Sequence, residues 1–279
     1  ADWMRSAIEL ASTGPGGFPA PRLHTLIVPA ASNDAPVAFG SVTRGGVGSV
    51  LLFVSAKATL PSLSRDWVLP HELSHLFLPY VAREHAWFSE GAATYYQEVL
   101  RARAGALSPD EALLNIARST RSAAREGTGR NLRAESRDMH STYAFRSVYW
   151  AGAAYFLMAD VALRQASAGE KSLDSVLRAL KEGGDAGRIE SLDALLAHMD
   201  EHAEAPVFRP LAEDCLQRAF PALEPVLAQL GVRQEGEMLW VSREADLASV
   251  REGIFGVRVT GSALTVSERP TPGPLPTTP

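Results

Sequence analysis

The sequence predicts an α+β chain: a small N-terminal sheet, a mainly helical lobe and a short C-terminal β appendage. Three observations carry that reading. The apolar runs Leu23–Val28 and Val50–Ser55 are short and rich in β-formers. From about residue 62 the apolar spacing turns helical, broken by capping residues. After Gly231 the β-like runs return.

Residues 2–12 read as a short helix, broken by Gly14-Pro15-Gly16-Gly17. Pro36–Phe39 offers a further strand beside the two apolar runs. Pro79 closes the first long helix. Phe88–Ala104 makes the next, with Gly105 in the position that follows a helix C-terminus. Ser108-Pro109-Asp110-Glu111 is a full capping box and starts a helix to about Arg125. Residues 126–142, polar and holding Gly127 and Gly129, read as a long loop. Arg146–Ala166 is helical and ends at Gly169. Ser172 and Ser191 cap two more helices, and Pro206–Leu230 holds a pair divided near Pro221. Met238–Ser242 and Gly256–Val266 read as strands. These elements divide into a catalytic domain over 1–232, with a sheet lobe over about 1–60 and a helical lobe over about 61–232. A β appendage over 233–267 and a disordered Pro-rich tail over 268–279 follow.

Composition narrows the function classes. The chain has 279 residues, 46% hydrophobic and 21% charged, with a net charge of -5, as expected of a globular protein with one large domain or two smaller ones. No basic stripe points to nucleic acid. No apolar run approaches the roughly 18 residues of a membrane span. The single cysteine, Cys215, excludes an internal disulfide framework and a cysteine zinc cage, and reads as a buried inert thiol.

His71-Glu72-Leu73-Ser74-His75 spells H-E-x-x-H, the zinc-hydrolase pentad. On a helix His75 falls about 40° and Glu72 about 100° from His71, while Leu73 and Phe77 turn to the other side. One helix can therefore offer two imidazoles to a metal while burying its back. A catalytic zinc takes a third protein ligand and keeps a position for water, whose proton Glu72 can accept. Glu90, at the start of the next helix, stands where gluzincins place that ligand. Gly91, Ala92 and Ala93 beside it are small enough to let this helix approach the first. Glu84 and His85 compete as ligands from the polar link. A metzincin is excluded, because Leu78 and Val81 replace its glycine and histidine. Pro70 leaves two options: a late helix start or a bent first turn.

After the pentad, Trp87-Phe88-Ser89-Glu90-Gly91-Ala92-Ala93-Thr94-Tyr95-Tyr96 resembles the glycyl aminopeptidase family, relatives of the aminopeptidase N group of gluzincins. The resemblance continues in Tyr149-Trp150-Ala151-Gly152-Ala153-Ala154, Leu163-Arg164 and Ser172-Leu173-Asp174, and covers about residues 20–230. It implies a thermolysin-like fold, one Zn2+ held by His71, His75 and Glu90, Glu72 as general base and Tyr149 as oxyanion donor. Tyr149 matches the family's Y-x-x-G tyrosine, and Tyr143 is the reserve candidate.

The chain also departs from that family. Only residues 76–89 separate the second histidine from the glutamate. Relatives carry an acidic residue after a glycine pair on the edge strand, where it binds the substrate's free amine. In Arg44-Gly45-Gly46-Val47-Gly48 that place is held by Gly48. The stretch reads as an edge for an extended peptide, with Arg44 read as solvated and, as the alternative, as meeting a substrate carboxylate there. The expected activity is a zinc-dependent peptidase acting on peptides or proteins, with exo or endo cleavage left open. The alternative is a peptidase-like binding or assembly module that keeps zinc and turns over weakly. The start at Ala1 and the resemblance together give an expectation of the bacterial periplasm or envelope, with the cytoplasm as the alternative.

Overall fold

The computed structural model describes residues 2–31, 35–44, 48–183 and 191–256. Helix α1 (Asp2–Ala11) precedes three strands, β1 (Leu23–Ala30), β2 (Val37–Thr43) and β3 (Gly48–Ser55). The sheet order is β1-β3-β2. β1 runs parallel to β3, pairing Leu23 with Gly48, and β2 runs antiparallel, pairing Val42 with Val50. β2 is therefore an edge, and its outer side meets the cleft described below. Helices α2 (Leu60–Arg65) and α3 (Val68–Ser74) follow, then short 3₁₀ turns at His75–Phe77 and Arg83–His85. The helical part continues with α4 (Ala86–Arg103), α5 (Pro109–Glu126), α6 (Leu132–Thr142), α7 (Phe145–Ala166), α8 (Leu173–Glu182), α9 (Leu192–Ala203), α10 (Phe208–Gln217) and α11 (Glu224–Gln229). The hairpin β4 (Val232–Glu235) and β5 (Met238–Val241) and a last helix, α12 (Ala248–Phe255), complete it. The architecture is α+β, as the sequence predicts. Among the described residues no helix is long and apolar enough to cross a membrane.

Local chemistry explains most boundaries. The Ser108 hydroxyl accepts from Glu111 N at 3.2 Å while the Glu111 carboxylate accepts from Ser108 N at 2.7 Å. Ser172 caps α8 in the same reciprocal way with Ser175, whereas Ser191 caps α9 only by accepting from Ala194 N. Gly105 takes φ +74° after α4, a conformation in which a Cβ would be strained.

Three elements differ from the sequence reading. The first long helix is broken into α2, α3 and a 3₁₀ turn, because the Asp66 carboxylate accepts from Val68 N at 2.8 Å and starts α3 afresh. Pro70 is the third residue of α3, so its missing N–H is one of the four that lack a partner in any helix. Residues 132–142, read as loop, form α6. The Asn131 side chain caps it, and its buried stripe of Leu132, Glu135, Ser136 and Met139 has helical spacing with two polar members. Ser136 earns its burial by accepting from Trp87 N and donating to Glu84 O. α12, which the sequence reading did not assign, is tied down by Arg251, whose Nη1 donates to Leu230 O and Ser242 O. The strand read over 256–266 lies outside the described residues beyond Gly256, as does the Pro-rich tail.

The core has two parts. Val37, Val50 and Leu52 of the sheet pack with Ala7 and Ala11 of α1 and with Val68, Leu69 and Leu73 of α3. A larger helical cluster is centred on α4 and α7. These two helices cross at Gly91 and Gly152: a Cβ on Gly91 would collide with the Gly152 backbone, and one on Gly152 with the Trp87 carbonyl. Gly91 thus admits α7, while the sequence reading assigned the small residues after Glu90 to the approach of the pentad helix, which also packs on α4.

Candidate functional site

All seven residues of α3 are buried, between the sheet and α4. Its C-terminal end and the following turn bring two imidazoles together, with ring centroids 4.9 Å apart and edge to face. His75 stands in the 3₁₀ turn rather than in the α-helix, yet still shares a face with His71. Glu90, in the first turns of α4, points its carboxylate at both. Oε2 lies 3.3 Å from His71 Nε2 and 3.5 Å from His75 Nε2. Ligand atoms of these three residues lie within 4.8 Å of one another, a group able to hold a metal ion. The rival ligands are elsewhere: the His85 ring pairs with Glu84 at 3.6 Å and lines a different pocket.

A second ring of contacts orients the imidazoles. His71 Nδ1 lies 2.9 Å from Gln97 Oε1. Gln97 Nε2 donates to Glu98 Oε1 at 3.1 Å, and Glu98 also accepts from Arg101 and Asn115. A carboxylate only accepts, so the Gln97 amide nitrogen must face it and the amide oxygen must face His71. His71 Nδ1 is then the N–H that donates to Gln97, and Nε2 is turned towards Glu90. Gln97 was missed in the sequence. Its signal is a spacing of two helical turns from Glu90, which puts both on one side of α4. Around His75, Ser89 Oγ lies 3.5 Å from Nδ1 and accepts from Arg44 Nη2 at 3.2 Å, while Arg44 Nε donates to His75 O at 2.9 Å. Arg44 is thus half-buried in the site, not solvated as the sequence reading held. Gly45, Gly46 and Val47 after it lie outside the described residues.

Glu72 is buried and receives the Val42 backbone N–H from β2. Gly40 on β2 makes room for it: a Cβ there would lie 2.6 Å from Glu72 Cγ and 2.7 Å from Val68 Cγ1. Tyr149, one turn before Gly152 on α7, stacks at 13° on His71 with centroids 6.0 Å apart. Burial raises the pKa of its hydroxyl, and Glu90 is near enough to raise it further. The Gly91–Gly152 crossing therefore also sets Tyr149 beside Glu90. Tyr143 is 81% exposed and does not line the cleft, whereas His140 does.

Burial dominates the titration of the site. It pushes the Glu72 carboxyl up to about 7, with Glu90 adding to the rise and His71 and Arg44 opposing it. Burial would raise Glu90 as well, but hydrogen bonds from both imidazoles hold it well below the carboxylate range. Burial opposes charging of both histidines. In His71 the bond to Glu90 overcomes this and its pKa is raised, while His75 is lowered, with the His71 and Arg44 charges adding to burial. Tyr149 is raised by burial and by Glu90. The Cys215 thiol, buried and pushed up to about 12, is inert.

Residues 68–154 match the M61 glycyl aminopeptidase family. The matched segment runs from the start of α3 into α7 and includes every residue named at the metal group, which bears out the resemblance read from the motifs. The fold is similar to a solved aminopeptidase N family protein from Idiomarina loihiensis, with a TM-score of 0.64 and 19% identity over 83% of this chain. The chain spans 44% of that protein's length. No curated protein matches it.

Proposed function

We propose that this chain is a zinc peptidase whose ion is held by His71, His75 and Glu90 in a thermolysin-like gluzincin site. The observation that carries the proposal is the spacing of the ligand atoms. Bonds of about 2.0–2.1 Å to a tetrahedral zinc put neighbouring ligand atoms about 3.3–3.4 Å apart. The distances from Glu90 Oε2 to the two Nε2 atoms are 3.3 and 3.5 Å. The donor set, two imidazoles and a carboxylate, leaves a coordination position for water. When bound, zinc supplies a Lewis acid for the scissile carbonyl and for water.

The chain's own residues supply the rest. Glu72 takes the proton of the attacking water and delivers it to the leaving nitrogen. Its position near neutrality suits both halves of that transfer. Tyr149 donates from its hydroxyl to the oxygen of the tetrahedral adduct, and its raised pKa keeps that proton in place. β2, an edge strand whose residues from Val37 to Val42 line the cleft, gives an extended peptide a backbone to pair with. The cleft holds about 600 Å³, room for a few residues.

Metal analysis and a peptide library test this. Wild-type protein is expected to carry one zinc and lose cleavage on chelation. Glu72→Gln should keep zinc and lose essentially all turnover, and Tyr149→Phe should lose about 10²-fold in kcat. Undiminished hydrolysis by Glu72→Gln would refute the mechanism. A protein that binds zinc and cleaves nothing across the library would instead be a binding module on this scaffold, for which Gly48 in place of the family's amine-binding carboxylate is the supporting observation.

A further inference from the structure

The charges around the cleft are not evenly spread. Asp66, next to the N-terminal end of α3, is the acid at one end, where its side chain accepts from Val68 N. Arg44 stands at the other end, bonded to His75 O and Ser89 Oγ, and Arg83 also lines the cleft. Glu72 and Glu90 also line the cleft, between these ends.

Arg44 is held but not exhausted. A guanidinium has five N–H donors. Nε donates to His75 O and Nη2 to Ser89 Oγ. Among the described residues Nη1 makes no hydrogen bond, and Arg44 lines the cleft. If a divalent cation occupies the His71–His75–Glu90 group, its two positive charges and that of Arg44 exceed the two negative charges of Glu72 and Glu90 by one. The loaded site then carries a net positive charge, with free donors on a planar fork suited to a carboxylate.

We propose that Arg44 captures a substrate carboxylate, so that the cleft selects peptides bearing an acidic group beside the bond to be cut. This rests on the peptidase reading above. The carboxylate can be an acidic side chain or the chain terminus, which have the same chemistry at the fork. Asp66 at the opposite end would then favour the positive part of the same peptide, giving it one direction along α3 and β2.

Matched peptides separate these terms. One set carries Glu or Gln on either side of the cleavage point with amidated ends, and a second is neutral with its C-terminus free or amidated. Wild type is expected to prefer Glu over Gln, or the free end over the amide, by about tenfold in kcat/KM. Arg44→Gln should bring that ratio to about one, and Arg44→Glu should reverse it in favour of the Gln or amidated peptide. Zinc content is measured in each variant. A wild-type ratio near one overturns the proposal without any variant. So does an Arg44→Gln protein that retains zinc and loses acidic and neutral substrates equally, since Arg44 would then serve only to hold the His75 turn. Binding of the same peptides to zinc-loaded Glu72→Gln, read by fluorescence anisotropy, gives the ratio even if no turnover is found. The peptidase reading can therefore fail while the carboxylate preference stands, or the reverse.

Discussion

Glu90 and Tyr149 stand on α4 and α7, which touch backbone to backbone at Gly91 and Gly152. Glu72 faces β2 across Gly40, where the neighbours are side chains. The difference decides what each contact can tolerate. A backbone carbonyl in a helix cannot withdraw without breaking its own hydrogen bonds, whereas a glutamate side chain can rotate away. The wall behind the metal group is thus fixed by architecture, and the front of it is adjustable. Gly152→Ala should therefore be the most damaging small change in the molecule. Its methyl meets the Trp87 carbonyl, and the expected cost is about 3 kcal/mol or more, with a midpoint lowered by about 10 °C or no folding at all. Gly40→Ala should cost less stability than Gly152→Ala and lose about 10²-fold in peptide hydrolysis, because the displaced groups are the side chains of Glu72 and Val68. Thermal melts of the two proteins side by side break the comparison if Gly40→Ala is the less stable.

The adjustable side also carries the largest pH effect. Glu72 is raised from the usual 4.5 to about 7 by burial, so folding favours its neutral form. That contribution is complete below about pH 4.5 and is lost as pH rises through about 7. It amounts to about 3 kcal/mol in the metal-free protein. Glu90 on the fixed wall has the opposite sign: its folded pKa is depressed, so its contribution is present above the ordinary carboxylate range and lost on acidification. In chelator, Glu72→Gln should be no more stable than wild type near pH 4 and progressively more stable up to pH 8, as read by urea melts. A constant difference across that range would show that Glu72 is not held out of water.

What could be read from the sequence follows the same division. The pentad, Glu90, the Ser108, Ser172 and Ser191 caps and Gly105 are local patterns, and each lies where the spacing puts it. Gly152 was visible only as part of a motif with Tyr149, because its partner Gly91 is on another helix and no local rule pairs them. α6 was hidden because two of its four buried positions are Glu135 and Ser136, whose partners Thr128, Trp87 and Glu84 come from outside the helix. Arg44 looked like an exposed residue next to a glycine run, and only the fold brings the His75 carbonyl and Ser89 to its guanidinium. Gly40 sits in an unremarkable strand sequence, and its role appears only with Glu72 packed against it.

Gln97 extends the fixed wall outward to Glu98, Arg101 and Asn115, and its loss should act on the metal rather than on the fold. Gln97→Leu removes the acceptor for His71 Nδ1, freeing the ring to turn and to change tautomer. Zinc affinity measured by chelator competition should drop about 10–100-fold with a small change in melting. Gln97→Glu keeps an acceptor and should retain more of the affinity than Gln97→Leu. Equal losses from the two would mean that the side chain fills space and does not orient the ring.

The two tyrosines give the smallest effect and the sharpest contrast. Tyr149 is anchored by α7 between His71 and Glu90. Tyr143 ends α6 in a left-handed conformation, φ 57°, with its ring largely in solvent. Tyr143 does pack edge to face near Phe145, at 6.4 Å between centroids, but its hydroxyl has no described partner in the cleft. Tyr143→Phe should therefore leave kcat and KM within about twofold of wild type, since surface changes away from a functional contact usually stay within about 0.5 kcal/mol. If Tyr143→Phe instead costs as much as Tyr149→Phe, the oxyanion role proposed for Tyr149 fails, and the donor must be sought at the end of α6.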